Sequence, residues 1–176
     1  MSLPNHLADP ALECAASLGA DVAHVRIARH DNRGVSMRDG DVENVASDQT
    51  TGLSVRVVVD GSWGFAATHD LSQAGALDAA KRAVAMARLT SSEDPVRLAD
   101  EPAHGTSEWD MPVGRDPIEV PDSEAIALLA DWSARVSSAS IVNHVDAHAA
   151  MGRDTTFFAD LAGNRLSQRR YRTSAQ

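Results

Sequence analysis

The sequence predicts an α+β fold: a twisted antiparallel β-sheet meander with α-helices packed mainly on one face. Three observations carry this. Leu53, Val55, Val57 and Val59 alternate strictly with Ser54, Arg56 and Val58, the period of a half-buried strand. Asp39-Gly40 and Asp60-Gly61 are two-residue hairpin signals, since both turn residues must tolerate positive φ. After Asp70 the period changes from two to 3.6, so an amphipathic helix follows the hairpin at once and has a greasy sheet face to cover.

In chain order, Asp9-Pro10 reads as a helix start and Gly19 as its end, with Leu12, Ala15, Ala16 and Leu18 on the packing stripe. Cys14 packs nearby as a small hydrophobe. From Asp21 the pattern is extended, with Ala23, Val25 and Ile27 inward and His24, Arg26 and His30 outward. Asn32-Arg33-Gly34 reads as a turn and Val35-Met37 as a new strand. Val42 and Val45 break the alternation and suggest a bulge near Glu43-Asn44. About five strands are therefore expected over residues 21–68. In the last, Trp63, Phe65 and Ala67 continue the buried face, and Gly64 marks a bulge or a close backbone approach. In the helix after Asp70, Leu77, Ala80, Val84 and Ala87 form the stripe, while Asp78 and Arg82 make an i,i+4 ion pair.

Residues 89–121 hold five of the seven prolines and no periodicity, which reads as an irregular strap anchored by Trp109 and Met111. Pro121-Asp122-Ser123-Glu124 starts a helix whose stripe is Ile126, Leu129, Trp132 and Val136. Strands follow over 141–151, 155–159 and 165–171, with a turn at Gly152-Arg153-Asp154. This divides the chain into a helix–meander–helix unit (1–90), a proline-rich strap (91–121) and a helix with closing strands (122–176). Helix, strand, turn, strand occurs in both outer parts, a faint internal echo.

Composition excludes several classes. A net charge of −9 over 176 residues disfavours a nucleic-acid footprint. One cysteine forbids an intramolecular disulfide and fits a reducing compartment. The N-terminus has no basic or apolar leader pattern, and no run is long enough to span a bilayer, so a cytoplasmic protein without membrane partners is expected. The glycines form no phosphate loop, and there is no Gly-x-Ser-x-Gly elbow.

The stretch GLSVRVVVDGSWGFAATHDLS, preceded by VSMRDGDVENVAS and GADVAHVRIAR, resembles the N-terminal domain of the TldD/PmbA family, long called "modulator of DNA gyrase". The resemblance is close from Gly19 to Arg88 and looser beyond. It implies a zinc metallopeptidase family whose N-terminal domain helps form a homo- or hetero-dimer and encloses a cleft for an unfolded or extended peptide. It also implies a His-Glu-x-x-x-His helix downstream, with two imidazoles on the metal and the glutamate as general base. No His-Glu dipeptide occurs in this chain, so no catalytic residue is expected in it, and zinc is expected in the full-length protein.

The nearest local substitute is His144, Asp146 and His148, which would share one strand face at roughly 7 Å steps. A metal there is weighed against a solvated outer face, and the solvated face is preferred. Arg165, Arg169, Arg170 and Arg172 are read as a charged edge strand rather than a DNA contact. Trp63 and Phe65 are read as core rather than as a base-stacking platform. Three functions stand side by side: an enzyme-derived domain acting in proteolysis within a longer chain, a non-catalytic protein-binding partner subunit, and a DNA-gyrase-associated regulator.

Overall fold

In the computed structural model, which describes residues 2–90, 95–99 and 102–176, both Asp-Gly pairs form the turns their chemistry demands. Asp39 and Gly40 have φ of 52° and 90°, Asp60 and Gly61 of 48° and 74°, the signature of a two-residue turn matched to strand twist. They join β1 (Val22–Arg38), β2 (Asp41–Val59) and β3 (Ser62–Thr68). The remaining elements are α1 (Ala8–Ser17), α2 (Gln73–Leu89), β4 (Thr106–Asp110), α3 (Asp122–Ser137), β5 (Asp146–Asp160) and β6 (Arg165–Ala175). Short 3₁₀ turns precede α1 and α3. The strands form one open six-stranded sheet in the order β3-β2-β1-β5-β6-β4, so the α+β class holds. Arg165 N–H donates to Gly105 C=O and Met111 N–H to Arg169 C=O, both at 3.0 Å, so β4 runs parallel to β6.

Several expectations change. Asn32-Arg33-Gly34 and Gly152-Arg153-Asp154 are not turns; they lie inside the uninterrupted strands β1 and β5. Three long strands replace the five expected before α2. The residues from 141 to 145 precede β5 rather than form part of it. Within the strap, β4 and a 3₁₀ turn at Pro117–Glu119 are regular; residues 91–94, 100 and 101 lie outside the described residues. Trp109 and Met111 do not anchor the strap, since both are exposed.

The chain forms two compact units that do not follow chain order, because the long strands contribute to both. The first comprises 1–29, 51–109 and 155–168. Its core joins α1 and α2 to the sheet through Leu12, Ala23, Val25, Ile27, Leu53, Val55, Val57, Val84 and Phe157, with alanines filling the gaps. Ser72 caps α2 by accepting from Gly75 N–H at 3.1 Å, and Asp70 accepts from Ser72 N–H at 3.0 Å. The Asp78–Arg82 pair forms at 2.8 Å. Arg88 donates to Leu18 C=O at 2.6 Å, satisfying a carbonyl at the end of α1.

The hairpin register corrects the reading of β3. Val59, Val57 and Val55 face Ser62, Gly64 and Ala66, and these are the buried partners. Trp63 and Phe65 fall on the opposite face, 37% and 56% exposed, opposite Val58 and Arg56. A two-residue turn pairs residues 59 and 62, so the core face of β3 must carry the even positions. Gly64 is there because α2 sits on it: an added Cβ would lie 1.9 Å from Ala83 O and 2.7 Å from Ala87 N.

The second unit comprises 30–50, 110–154 and 169–176. Val35, Met37, Ala147, Ala149 and Met151 meet Ala125 and Leu129 of α3. The expected stripe on α3 is therefore rotated: Ala125, Leu129 and Ser133 are buried, whereas Trp132 is 38% exposed and Val136 is also exposed. The small side chains at 125 and 133 let the helix approach the sheet, which Trp132 on that face would prevent. Arg33 fixes the start of the helix, donating to Ile118 C=O at 2.7 Å and Val120 C=O at 2.8 Å and pairing with Asp122.

Candidate functional site

The second unit concentrates the ionisable side chains that the fold brings together. Asp31 on β1 is buried and accepts from Gln49 Nε2 at 2.5 Å and from Arg153 Nε at 3.0 Å. Arg153 also donates to Asp116 at 2.6 Å. Burial alone would lower the basicity of Arg153, but hydrogen bonds to Asp116 and then Asp31 outweigh it and hold the guanidinium above its ordinary value. On β5, buried Asp154 lies 2.6 Å from His30 Nδ1 and 3.1 Å from Arg172 Nη2. Asp31 and Asp154 thus each meet a cation or imidazole, the condition under which carboxylates are tolerated inside a protein.

His30 with Asp154 has the form of a base held by its orienting carboxylate, but no serine, cysteine or threonine lies hydrogen-bonded to that imidazole among the described contacts. The cluster fixes strands β1, β5 and β6 and the segment before α3.

The residues singled out as metal candidates are not brought together. His144 lies before β5, its Nδ1 2.9 Å from Asp39 Oδ2. That hydrogen bond, and a second from Val145 N–H, hold the Asp39 carboxyl below its usual range. Asp146 and His148 lie on β5 and are exposed. The His148 backbone pairs with Gln176, at 2.7 and 2.9 Å. Among the described residues, no three His, Cys, Asp or Glu side chains are grouped to hold a metal ion. A zinc centre of the kind the resemblance implies does not fit the described residues.

Of the terminal arginines, Arg165 pairs with Asp9 and donates to Asp160 C=O and Asn164 C=O. Arg169 pairs with Asp110 and Arg172 with Asp154, while Arg170 is exposed. Cys14 is half-buried against the first core, its Sγ 4.0 Å from Leu77 O.

Sequence reasoning missed Asp31, Asp116, Arg153 and Asp154. The signal was parity. Val25, Ile27, Val35 and Met37 share odd numbering across Asn32–Gly34, and Ala149, Met151, Phe157 and Ala159 do so across 152–154. Unbroken parity means an unbroken strand, and polar residues in mid-strand are then candidates for a buried network.

An open α+β domain with a supporting ion network and no grouped metal ligands among the described residues is the class of protein these observations define. The particular family follows from comparison. Residues 23–87 match the family described as PmbA/TldA metallopeptidase domain 1. Over this stretch the chain is similar to the N-terminal domain of the TldD/PmbA family. It is 30% identical over 135 residues to the metalloprotease PmbA homolog of Haemophilus influenzae, covering 76% of this chain and 30% of that protein. It is 26% identical over 137 residues to a metalloprotease of Methanothermobacter thermautotrophicus, covering 78% of this chain and 29% of that protein. The fold superposes on a protein described as a modulator of DNA gyrase from Bacteroides thetaiotaomicron, with a TM-score of 0.74 at 18% identity over 97% of this chain and 38% of that one. TldE from Thermococcus kodakarensis gives 0.72 at 12% identity, over 95% and 37%. The chain thus spans about a third of the length of these relatives. Among the described residues, no helix is long and apolar enough to cross a membrane.

Proposed function

We propose that this chain is the non-catalytic N-terminal portion of a TldD/PmbA-type zinc metallopeptidase, acting in proteolysis or peptide maturation as part of a longer protein. Its role is to contribute to a homo- or hetero-dimer with a family member and to shape the cleft that receives an extended peptide. The observation that carries this is the match of residues 23–87 to the metallopeptidase family's first domain, in a chain about a third as long as its relatives. A catalytic zinc needs three protein ligands, an open position and a nearby base, and the described residues group no such set.

The old family name suggests DNA. The charge argues otherwise: the chain carries −9, and Arg165, Arg169 and Arg172 already face carboxylates. A cytoplasmic setting agrees with the single, unpaired cysteine.

The test is to assay this chain and a chain extended to family length on an unstructured peptide, each with added zinc. Chelator-sensitive cleavage by the extended protein alone is the expected result. Chelator-sensitive cleavage by the short chain, surviving further purification, would overturn the reading and direct attention to His144 and His148.

A further inference from the structure

Asp39-Gly40 and Asp60-Gly61 are the only Asp-Gly pairs in the chain, and no Asn-Gly pair occurs. Such a pair has a chemistry of its own. The glycine amide nitrogen, with no neighbouring Cβ to hinder it, can attack the aspartyl Cγ and close a cyclic imide. A C–N bond forms, and a carboxyl oxygen leaves as water with the amide proton. Water then adds to the imide, and opening at the main-chain carbonyl gives isoaspartate, in which the chain runs through the former side chain. No oxidant, metal or second reactant is needed.

The fold treats the two pairs differently. Both aspartates are exposed and both turns hold positive φ at each residue, so neither exposure nor backbone class separates them. Their carboxylates do. Asp39 Oδ1 accepts from Val145 N–H at 2.8 Å, and Oδ2 lies 2.9 Å from His144 Nδ1. The Asp39 N–H donates to Val145 C=O at 2.8 Å, so main chain and side chain are fastened to the same segment. To reach Gly40 N the carboxyl must give up both of its bonds. The hydrogen bonds from His144 and then Val145 also hold this carboxyl below its ordinary range, which depletes the neutral acid from which water leaves. In the other turn the main chain alone is fastened: Asp60 N–H donates to Asp21 Oδ2 at 3.1 Å. The Asp60 carboxylate has no hydrogen-bond or ion-pair partner among the described residues.

We infer that Asp60-Gly61 is a site of spontaneous isoaspartate formation, and that the His144–Asp39 contact protects Asp39-Gly40 from the same reaction. The modified turn cannot keep its present form. Val59 pairs with Ser62 across a two-residue turn, and isoaspartate adds a methylene to the main chain between them. Gly61 also carries contacts: its C=O accepts from Val96 N–H at 2.8 Å, and a Cβ there would lie 2.4 Å from Pro95 Cβ. Lengthening the turn therefore disturbs both the start of β3 and the seat of Pro95 and Val96. The class of activity that would recognise the product is an enzyme that methylates isoaspartyl carboxyl groups for repair.

The test ages the full chain at neutral pH and follows tryptic peptides 39–56 and 57–81, which hold one Asp-Gly pair each. Mass spectrometry with fragmentation that distinguishes isoaspartate from aspartate reads both sites. Unstructured synthetic peptides of the same two sequences calibrate the intrinsic rates. Isoaspartate should accumulate at Asp60 at least about tenfold faster than at Asp39, while the two free peptides react alike. His144→Ala, confirmed as folded by circular dichroism, removes one hydrogen bond to a charged group; it should raise the rate at Asp39 by about tenfold and leave Asp60 unchanged. Asp60→Asn and Asp39→Asn, compared side by side, remove the ionisation difference and test geometry alone: ammonia release should again be faster at position 60. Equal rates at the two sites, faster reaction at Asp39, or an unmodified Asp60 when its free peptide has fully converted would overturn the inference. An Asp39 rate indifferent to His144→Ala would overturn the protective role given to that contact.

Discussion

Gly64→Ala is the substitution through which the packing of the first unit can be measured. Ordinary contact between non-bonded heavy atoms begins near 3.5 Å, and the new methyl would lie 1.9 Å from the Ala83 carbonyl, so α2 must withdraw by about 1.5 Å. The obstacle is helix backbone, which cannot rotate aside as a side chain would. Withdrawal loosens Ala79, Ala80, Ala83 and Ala87, all buried against the sheet, each with a methyl whose burial contributes at most about 0.8 kcal/mol. Overpacking of this kind costs about 1–3 kcal/mol, and a backbone clash belongs at the upper end, near 3 kcal/mol. For a chain of this size the thermal midpoint should fall by about 6–12 °C. Gly114→Ala is the control, because a Cβ there meets nothing within 4 Å and should change stability by less than about 0.5 kcal/mol. The assay is thermal unfolding followed by circular dichroism. A Gly64→Ala protein melting within about 1 °C of wild type would refute the claim that α2 rests on β3 through this glycine.

Two further predictions test the hairpin register and the ion network. Leu53→Ala should cost about 3 kcal/mol in urea unfolding and Phe65→Ser less than about 1, since Leu53 is buried and Phe65 stands in solvent; equal losses would return Phe65 to the core. Arg153→Met removes the guanidinium shared by Asp31 and Asp116, should destabilise by about 3 kcal/mol, and should recover in part when Asp31→Asn is added; a loss below about 0.5 kcal/mol would reduce the network to a surface ornament.

What the residues determined alone was local. Asp39-Gly40 and Asp60-Gly61 dictated their turns because few other pairs accept two positive φ angles in succession. Alternation over Leu53–Val59 and Ala23–Ile27 set the core face of those strands, and the 3.6 period after Asp70 set α2. The resemblance carried by the same stretch gave the family. What the tertiary structure decided was everything that depends on a partner across space. Asn32-Arg33-Gly34 and Gly152-Arg153-Asp154 have the composition of turns, yet neighbouring strands satisfy their polar groups and keep them extended. Trp63 and Phe65 looked like core by hydrophobicity, but the hairpin parity and the pressure of α2 on Gly64 turned them outward. Trp132 lost its place to Ser133 because close approach of a helix favours the smaller side chain over the greasier one. His144, Asp146 and His148 are near in sequence, but His144 finds Asp39 across the sheet, while His30 meets Asp154 from 124 residues away. Sequence spacing constrains a site only while the chain keeps one regular conformation through it; once strands pair, the partner is set by register.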